Sequence, residues 1–157
     1  MTTAPLILHW LTEDDTARAA RAIGEDLRPG DVLLLEGDVG AGKTHFARAL
    51  IKSVLLQVED VPSPTFTLVQ IYDTKHGPLW HTDLYRISSD TEIDELGLFD
   101  AFETAICLVE WPDRLGTMMP ADALNIHIDA QGDARSARLS WTDTRWAERL
   151  SKVAHNV

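Results

Sequence analysis

The segment Gly37-Asp38-Val39-Gly40-Ala41-Gly42-Lys43-Thr44 fits the spacing G-x-x-x-x-G-K-[ST]. Each residue type in it has a chemical reason. The glycines let the backbone curl so that successive N–H groups point inward at phosphate oxygens, with the dipole of a following helix behind them. Lys43 sets a point charge against the β- and γ-phosphates, and the Thr44 hydroxyl is a hard oxygen ligand suited to Mg²⁺. A chance match in a chain of this length is expected well under roughly one time in a hundred. A metal held this way needs a carboxylate from the end of a neighbouring strand. Glu110, which closes the apolar run Ile106-Cys107-Leu108-Val109, and Asp83, within His81-Thr82-Asp83-Leu84-Tyr85-Arg86, both qualify. Glu110 is assigned to Mg²⁺, directly or through water, and Asp83 to orienting the attacking water or the metal's water shell. On sequence alone the two roles are interchangeable, and Asp83 also fits an N-cap or a surface acid.

The flanking elements supply the context such a loop requires. Asp31 to Glu36 is a short apolar run between turn signals, the pattern of a strand covered on both faces. After the loop, Phe46, Ala47, Leu50, Ile51, Val54 and Leu55 recur at helical spacing. Upstream, Thr12-Glu13-Asp14-Asp15 predicts a capped helix start, with Ala20, Ile23 and Leu27 on one face and Pro29-Gly30 as its stop. Thr65 to Tyr72 and Leu79 to Tyr85 read as two strands of a hairpin around the loop Asp73–Pro78. Ser88 to Glu103 is acidic and in part helical, and Ala105 to Glu110 is a buried strand. Leu124–Ile128 and Ala137–Trp141 alternate around Gln131-Gly132-Asp133, predicting a second hairpin before a short helix through Trp146 and Leu150. Buried strands flanked by helices, with antiparallel hairpins, indicate an α/β domain with a mixed sheet; without repeats or linkers, residues 1–157 read as one domain.

Composition bounds the function. The 157 residues carry 25 Asp+Glu against 14 Lys+Arg, a formal net charge of −11 and a pI near 4.8. Such a surface repels phosphate backbones, so the chain is expected to grip neither DNA nor RNA by itself. Apolar residues make up 45% and charged residues 25%, which argues against disorder. No apolar run approaches the ~20 residues of a membrane helix, and the first residues lack a basic leader. A lone cysteine, Cys107, fits a reducing compartment; the expectation is a cytoplasmic protein that does not meet membranes.

Other residues carry less. Six histidines occur, none in H-E-x-x-H or beside paired cysteines, which disfavours zinc. Cys107, inside an apolar strand, reads as an inert core thiol. Trp111 suits stacking on a base or a partner, and equally core or rim packing. Asp90, Glu92, Asp94 and Glu95 read as a solvated helix face or as a contact for a basic partner. Two rival functions share the loop. A small-molecule kinase needs a basic lid, but between Arg86 and Arg114 there is no Lys or Arg. A nucleotide-gated binding module would bind the same ligand and hydrolyse little. A GTPase would need N-K-x-D, which is absent.

The four motifs in order, Gly37–Thr44, Ser63-Pro64-Thr65-Phe66-Thr67-Leu68-Val69, His81–Arg86 and Ile106–Pro112, together resemble the bacterial tRNA threonylcarbamoyladenosine biosynthesis ATPase family (TsaE), from about Thr12 to about Trp141. The resemblance implies a small three-layer P-loop fold and ATP hydrolysis with Mg²⁺. It implies service to a threonylcarbamoyl transferase that modifies the adenosine beside the anticodon of certain tRNAs. The partners would be the transferase's catalytic subunit and its paralogous binding subunit, with tRNA met only through the complex. Asp38, Val39, Gly40, Ala41, Gly42, Lys43 and Thr44 would hold the phosphates, Thr44 and Glu110 the metal, and Lys43, Asp83 and Glu110 would serve catalysis. Ser63 and Thr65 would act as a switch loop near the γ-phosphate, and Thr16 and Arg135 would contact the nucleotide outside the loop. His45 replaces the family's second threonine. No arginine finger is evident: Arg48 belongs to the helix after the loop, and Arg86 is a candidate. An arginine finger is worth about 10³- to 10⁵-fold, so hydrolysis by the chain alone is expected to be slow and to rise when partners order Ser63–Thr67.

Overall fold

The computed structural model describes residues 5–64 and 67–156. Its strands are β1 (Leu6–Trp10), β2 (Val32–Glu36), β3 (Val69–Thr74), β4 (Gly77–Asp83), β5 (Ile106–Glu110), β6 (Leu124–Gln131) and β7 (Ala134–Ser140). Its α-helices are α1 (Glu13–Gly24), α2 (Lys43–Val54), α3 (Asp90–Glu95), α4 (Leu98–Thr104) and α5 (Arg145–Asn156), and Pro112–Met118 forms 3₁₀ turns. The strands build one seven-stranded sheet in the order β1-β7-β6-β2-β5-β4-β3. β6, β2, β5 and β4 run parallel, while β3, β7 and β1 are antiparallel additions at the flanks.

The apolar runs dictate this centre. Every residue from Val32 to Leu35 and from Ile106 to Val109 is at most 1% exposed, so both faces of β2 and β5 are covered. Alternation then splits the core. Leu33, Leu35 and Leu108 face a layer with Phe46, Leu50, Ile23, Leu27 and Trp146 from α1, α2, α5 and the turn after α1. Val32, Leu34, Cys107 and Val109 face Ile93, Leu98 and Ala101 on α3 and α4. The result is the expected three-layer α/β arrangement with a mixed sheet. Among the described residues no helix is long and apolar enough to cross a membrane.

Several element ends differ from the sequence reading. α1 starts as expected: Thr12 Oγ1 accepts from the Asp15 N–H, and the Asp15 carboxylate accepts from the Thr12 N–H. It ends at Gly24 rather than Pro29, where a Cβ would lie 3.2 Å from Leu50 Cγ on α2. β3 begins at Val69, not Thr65, because Leu68 adopts a left-handed φ of 67° and its N–H bonds to the Pro64 carbonyl at 2.7 Å. The hairpin loop is shorter than expected, since Asp73 and Thr74 pair with Pro78 and Gly77 and leave only Lys75-His76 between the strands. β4 correspondingly stops at Asp83. Ser88–Glu103 holds two helices, separated at Gly97 with φ 81°. β1, which the sequence reading did not assign, pairs among the described residues with β7 alone and buries Leu8 and Trp10 on alternate positions.

Candidate functional site

The Gly37–Thr44 segment closes the C-terminal end of β2 and opens α2. Gly42, with φ 109°, is the residue before the helix, so the first N–H groups of α2 are presented to the loop. Gly37 is needed for a different reason. A Cβ there would sit 2.4 Å from the Ile128 carbonyl oxygen on β6, which no side chain tolerates. Val39 and Gly40 are exposed at the loop tip, Ala41 is buried beneath it, and the Ala41 N–H bonds to the Asp38 carbonyl at 3.0 Å.

Lys43 is only 5% exposed. Its ammonium donates to the Gly37 carbonyl and, at 3.5 Å, to that of Asp38, and it lies 3.6 Å above the Trp111 ring. Burial pulls the Lys43 pKa below the ordinary lysine value, against the opposing pull of Glu110, Asp83, Asp38 and Asp113. Trp111 itself holds a left-handed φ of 59° and packs on Tyr85 with ring centroids 4.8 Å apart. Trp111 thus packs at the rim of the loop, directly over the lysine.

The carboxylates arrive on the sheet. Asp83 and Glu110 are paired residues at the ends of β4 and β5, 5% and 2% exposed. Glu110 Oε1 accepts from the Thr44 hydroxyl at 2.8 Å. Asp83 Oδ1 accepts the Tyr85 N–H at 2.9 Å. Lys43, Thr44, Asp83 and Glu110 line one cavity of about 470 Å³ together with Arg86, Trp111 and Arg135. An adjoining cavity of about 360 Å³ is lined by Leu11, Thr12, Thr16, Ile128, Asp133 and Arg135, and it shares Glu13, Gly42, His45 and Arg135 with the first. Thr16 and Arg135, 119 residues apart by their numbers (135 − 16), thus border one space beside the loop.

Not every expected residue joins this group. Ser63 is exposed and is not among the described residues lining either cavity, and Thr65 lies outside the described residues. Asp38 is exposed and borders a separate groove with Asp113 and His127. Arg48 lies on α2 as expected, donating to the Val61 carbonyl at 2.9 Å. Cys107 is fully buried, and desolvation pushes its thiol up to about 12.

Sequence reasoning named two histidines without foreseeing their contacts. His45 Nε2 is 3.2 Å from the Glu13 carbonyl, tying the first turn of α2 to that of α1 at the junction of the two cavities. His81, weighed only as a zinc ligand, reaches Glu110 Oε2 with its Nε2 at 2.8 Å. The two-residue period of a strand was the available signal, since it sets His81 on the same face as Asp83.

The donors fit a magnesium nucleotide. One hydroxyl and two carboxylates are hard oxygen groups, too few for an all-protein cage and suited to a small cation that keeps phosphate and water oxygens. The glycine loop, helix N-terminus and buried ammonium converge on the space where phosphate would lie.

The chain matches a family model described as "Threonylcarbamoyl adenosine biosynthesis protein TsaE" over residues 10–138. It is 37% identical over 122 residues to the tRNA threonylcarbamoyladenosine biosynthesis protein TsaE of Rickettsia bellii, covering 78% of this chain and 85% of the relative. It is 38% identical over 129 residues to the protein of that name from Bacillus subtilis, covering 80% of each. The crystal structure of Bacillus subtilis YdiB superposes with a TM-score of 0.78 at 29% identity, covering 99% of this chain and 97% of that one.

Proposed function

Since the chain belongs to the TsaE family of tRNA threonylcarbamoyladenosine biosynthesis proteins, we propose that it is a Mg²⁺-dependent ATPase whose nucleotide cycle drives assembly or resetting of the threonylcarbamoyl transferase complex. In this reading residues 1–157 form one P-loop ATPase domain of the cytoplasm. Its partners are the transferase's catalytic subunit and its paralogous binding subunit, and tRNA is met only through them. DNA and membranes are not partners. The observation that carries the reading is the 2.8 Å contact of Thr44 with Glu110 at the base of the cavity that Lys43 borders.

The residues divide the work by position. Amides of Asp38–Thr44 and the Lys43 ammonium bind the phosphates. Thr44 and Glu110 would hold Mg²⁺, which when bound neutralises charge on the β- and γ-phosphate oxygens. Asp83 orients the attacking water and accepts its proton as attack proceeds. Trp111 excludes water from one side of Lys43, and Thr16 and Arg135 hold the nucleoside end in the adjoining cavity. Ser63 and Thr65 belong to a switch segment that partners order, which makes the isolated chain a slow enzyme.

The test compares ATP turnover by the chain alone with turnover after adding both transferase subunits, and follows co-elution with and without Mg-ATP. Faster turnover in the complex and nucleotide-dependent co-elution are expected. Equal turnover alone and in complex would overturn the partner-activated cycle. Phosphate transfer to a small acceptor would favour a kinase instead.

A further inference from the structure

We infer that His81 is a positioning residue, whose imidazole holds the Glu110 carboxylate so that Oε1 stays turned toward Thr44. The inference rests on the reading of Thr44 and Glu110 as the Mg²⁺ pair. Parallel pairing of β4 with β5 sets Asp83 opposite Glu110 and His81 opposite Leu108, so His81 lies one alternation step beneath Glu110 on the same sheet face. His81 Nε2 and Glu110 Oε2 are 2.8 Å apart, and the two side chains are 0% and 2% exposed. A carboxylate this deeply buried must have partners, and Glu110 has one on each oxygen: Thr44 on Oε1 and His81 on Oε2.

The pairing fixes more than distance. A carboxylate only accepts, so the proton of the contact belongs to His81 Nε2, while His81 Nδ1 is a buried nitrogen that has no hydrogen-bond partner among the described residues. An apolar side chain of similar volume would remove that orphaned nitrogen. Packing alone therefore does not call for histidine here, whereas fixing the Glu110 rotamer does. Without Nε2, the Oε2 oxygen is left unpaired in the core and the carboxylate turns away from the geometry it shares with Thr44.

Full-length His81→Leu and His81→Gln test this, with a fluorescent ATP analogue titrated in EDTA and then across a Mg²⁺ series. His81→Leu is expected to bind nucleotide in EDTA within about twofold of the native chain. Its Mg²⁺ midpoint should rise about tenfold, the scale of a lost partner behind a metal ligand. His81→Gln, whose amide nitrogen reaches a similar point, should restore most of that shift. Should His81→Leu not fold, His81→Asn replaces it: its amide stops short of Glu110 and must show the same shift. A native midpoint in the leucine or asparagine variant, no rescue by glutamine, or an equal loss in EDTA overturns the inference. A native chain that binds nucleotide without any response to Mg²⁺ overturns the metal reading itself, and is told apart because it appears before any substitution.

Discussion

Asp83 and Glu110 stand opposite each other at the ends of β4 and β5: Glu110 bonds to Thr44 and His81, and Asp83 accepts the Tyr85 N–H. The contact with Thr44 favours Glu110 for the metal. Glu110→Gln is then expected to flatten the Mg²⁺ dependence of nucleotide binding. Asp83→Asn should keep that dependence and the affinity within about twofold while hydrolysis falls by roughly 10²-fold or more. Mg²⁺ titrations beside phosphate release separate the two. The reverse pattern would exchange the roles.

Lys43 is buried against its own loop carbonyls and the Trp111 ring, so its ammonium is held in place beside the loop. Lys43→Ala removes one charge-assisted contact, worth about 2–3 kcal/mol, or roughly 30- to 150-fold in Kd. Calorimetric titration with ATP and Mg²⁺ reads this directly. An unchanged Kd would show that phosphate does not lie in the loop.

Two loop glycines predict different costs. At Gly40, φ is 82° and an added Cβ meets nothing within 4 Å, so Gly40→Ala bears only the left-handed strain of about 1–2 kcal/mol. Gly37→Ala adds a collision with the Ile128 carbonyl at 2.4 Å, at a φ of 142°. Urea unfolding should rank Gly37→Ala as clearly the less stable variant. Equal midpoints would mean that β6 yields to the loop.

How much was legible follows from the range of each signal. β2, β5 and the loop between β2 and α2 rest on local features, unbroken apolar runs and glycine at fixed offsets, and they were readable without the fold. β1 was not: a five-residue edge strand with one neighbour carries little pattern, and its alternation buries only Leu8 and Trp10 strongly. The start of β3 was misplaced because β-branched composition cannot report the left-handed turn at Leu68. The His81–Glu110 contact spans 29 residues and depends on strand register, which only the assembled sheet sets. Thr16 and Arg135 were carried by the family resemblance alone, since no periodicity joins the first helix to the last hairpin.

Arg135 lies across the start of α2, its Nε 3.4 Å from where a Gly42 Cβ would stand, and donates to the Gly132 and Ala134 carbonyls at 3.2 and 2.9 Å. These bonds hold it as a wall common to both cavities. Arg135→Ala is expected to weaken nucleotide binding by about tenfold, equally in EDTA and in Mg²⁺, with thermal stability little changed. A fluorescent ATP analogue measures the first and a melting curve the second. A large stability loss with native affinity would make Arg135 a hairpin brace.

Cys107 gives a pH prediction whose sign can be worked out. Desolvation raises its thiol from 9.0 to about 12 in the folded chain. Between those values the unfolded chain has released the proton and the folded chain has kept it. Stability therefore falls as pH rises through that window, by up to about 1.4 kcal/mol per unit, and is unaffected by this group below it. Urea unfolding at pH 8, 9.5 and 11 should show the slope, and Cys107→Ala should reduce it. At pH 8 the folded thiol is expected to resist a disulfide reagent that labels it at once in urea. Rapid labelling of the folded chain would place Cys107 in contact with solvent and contradict its burial in β5.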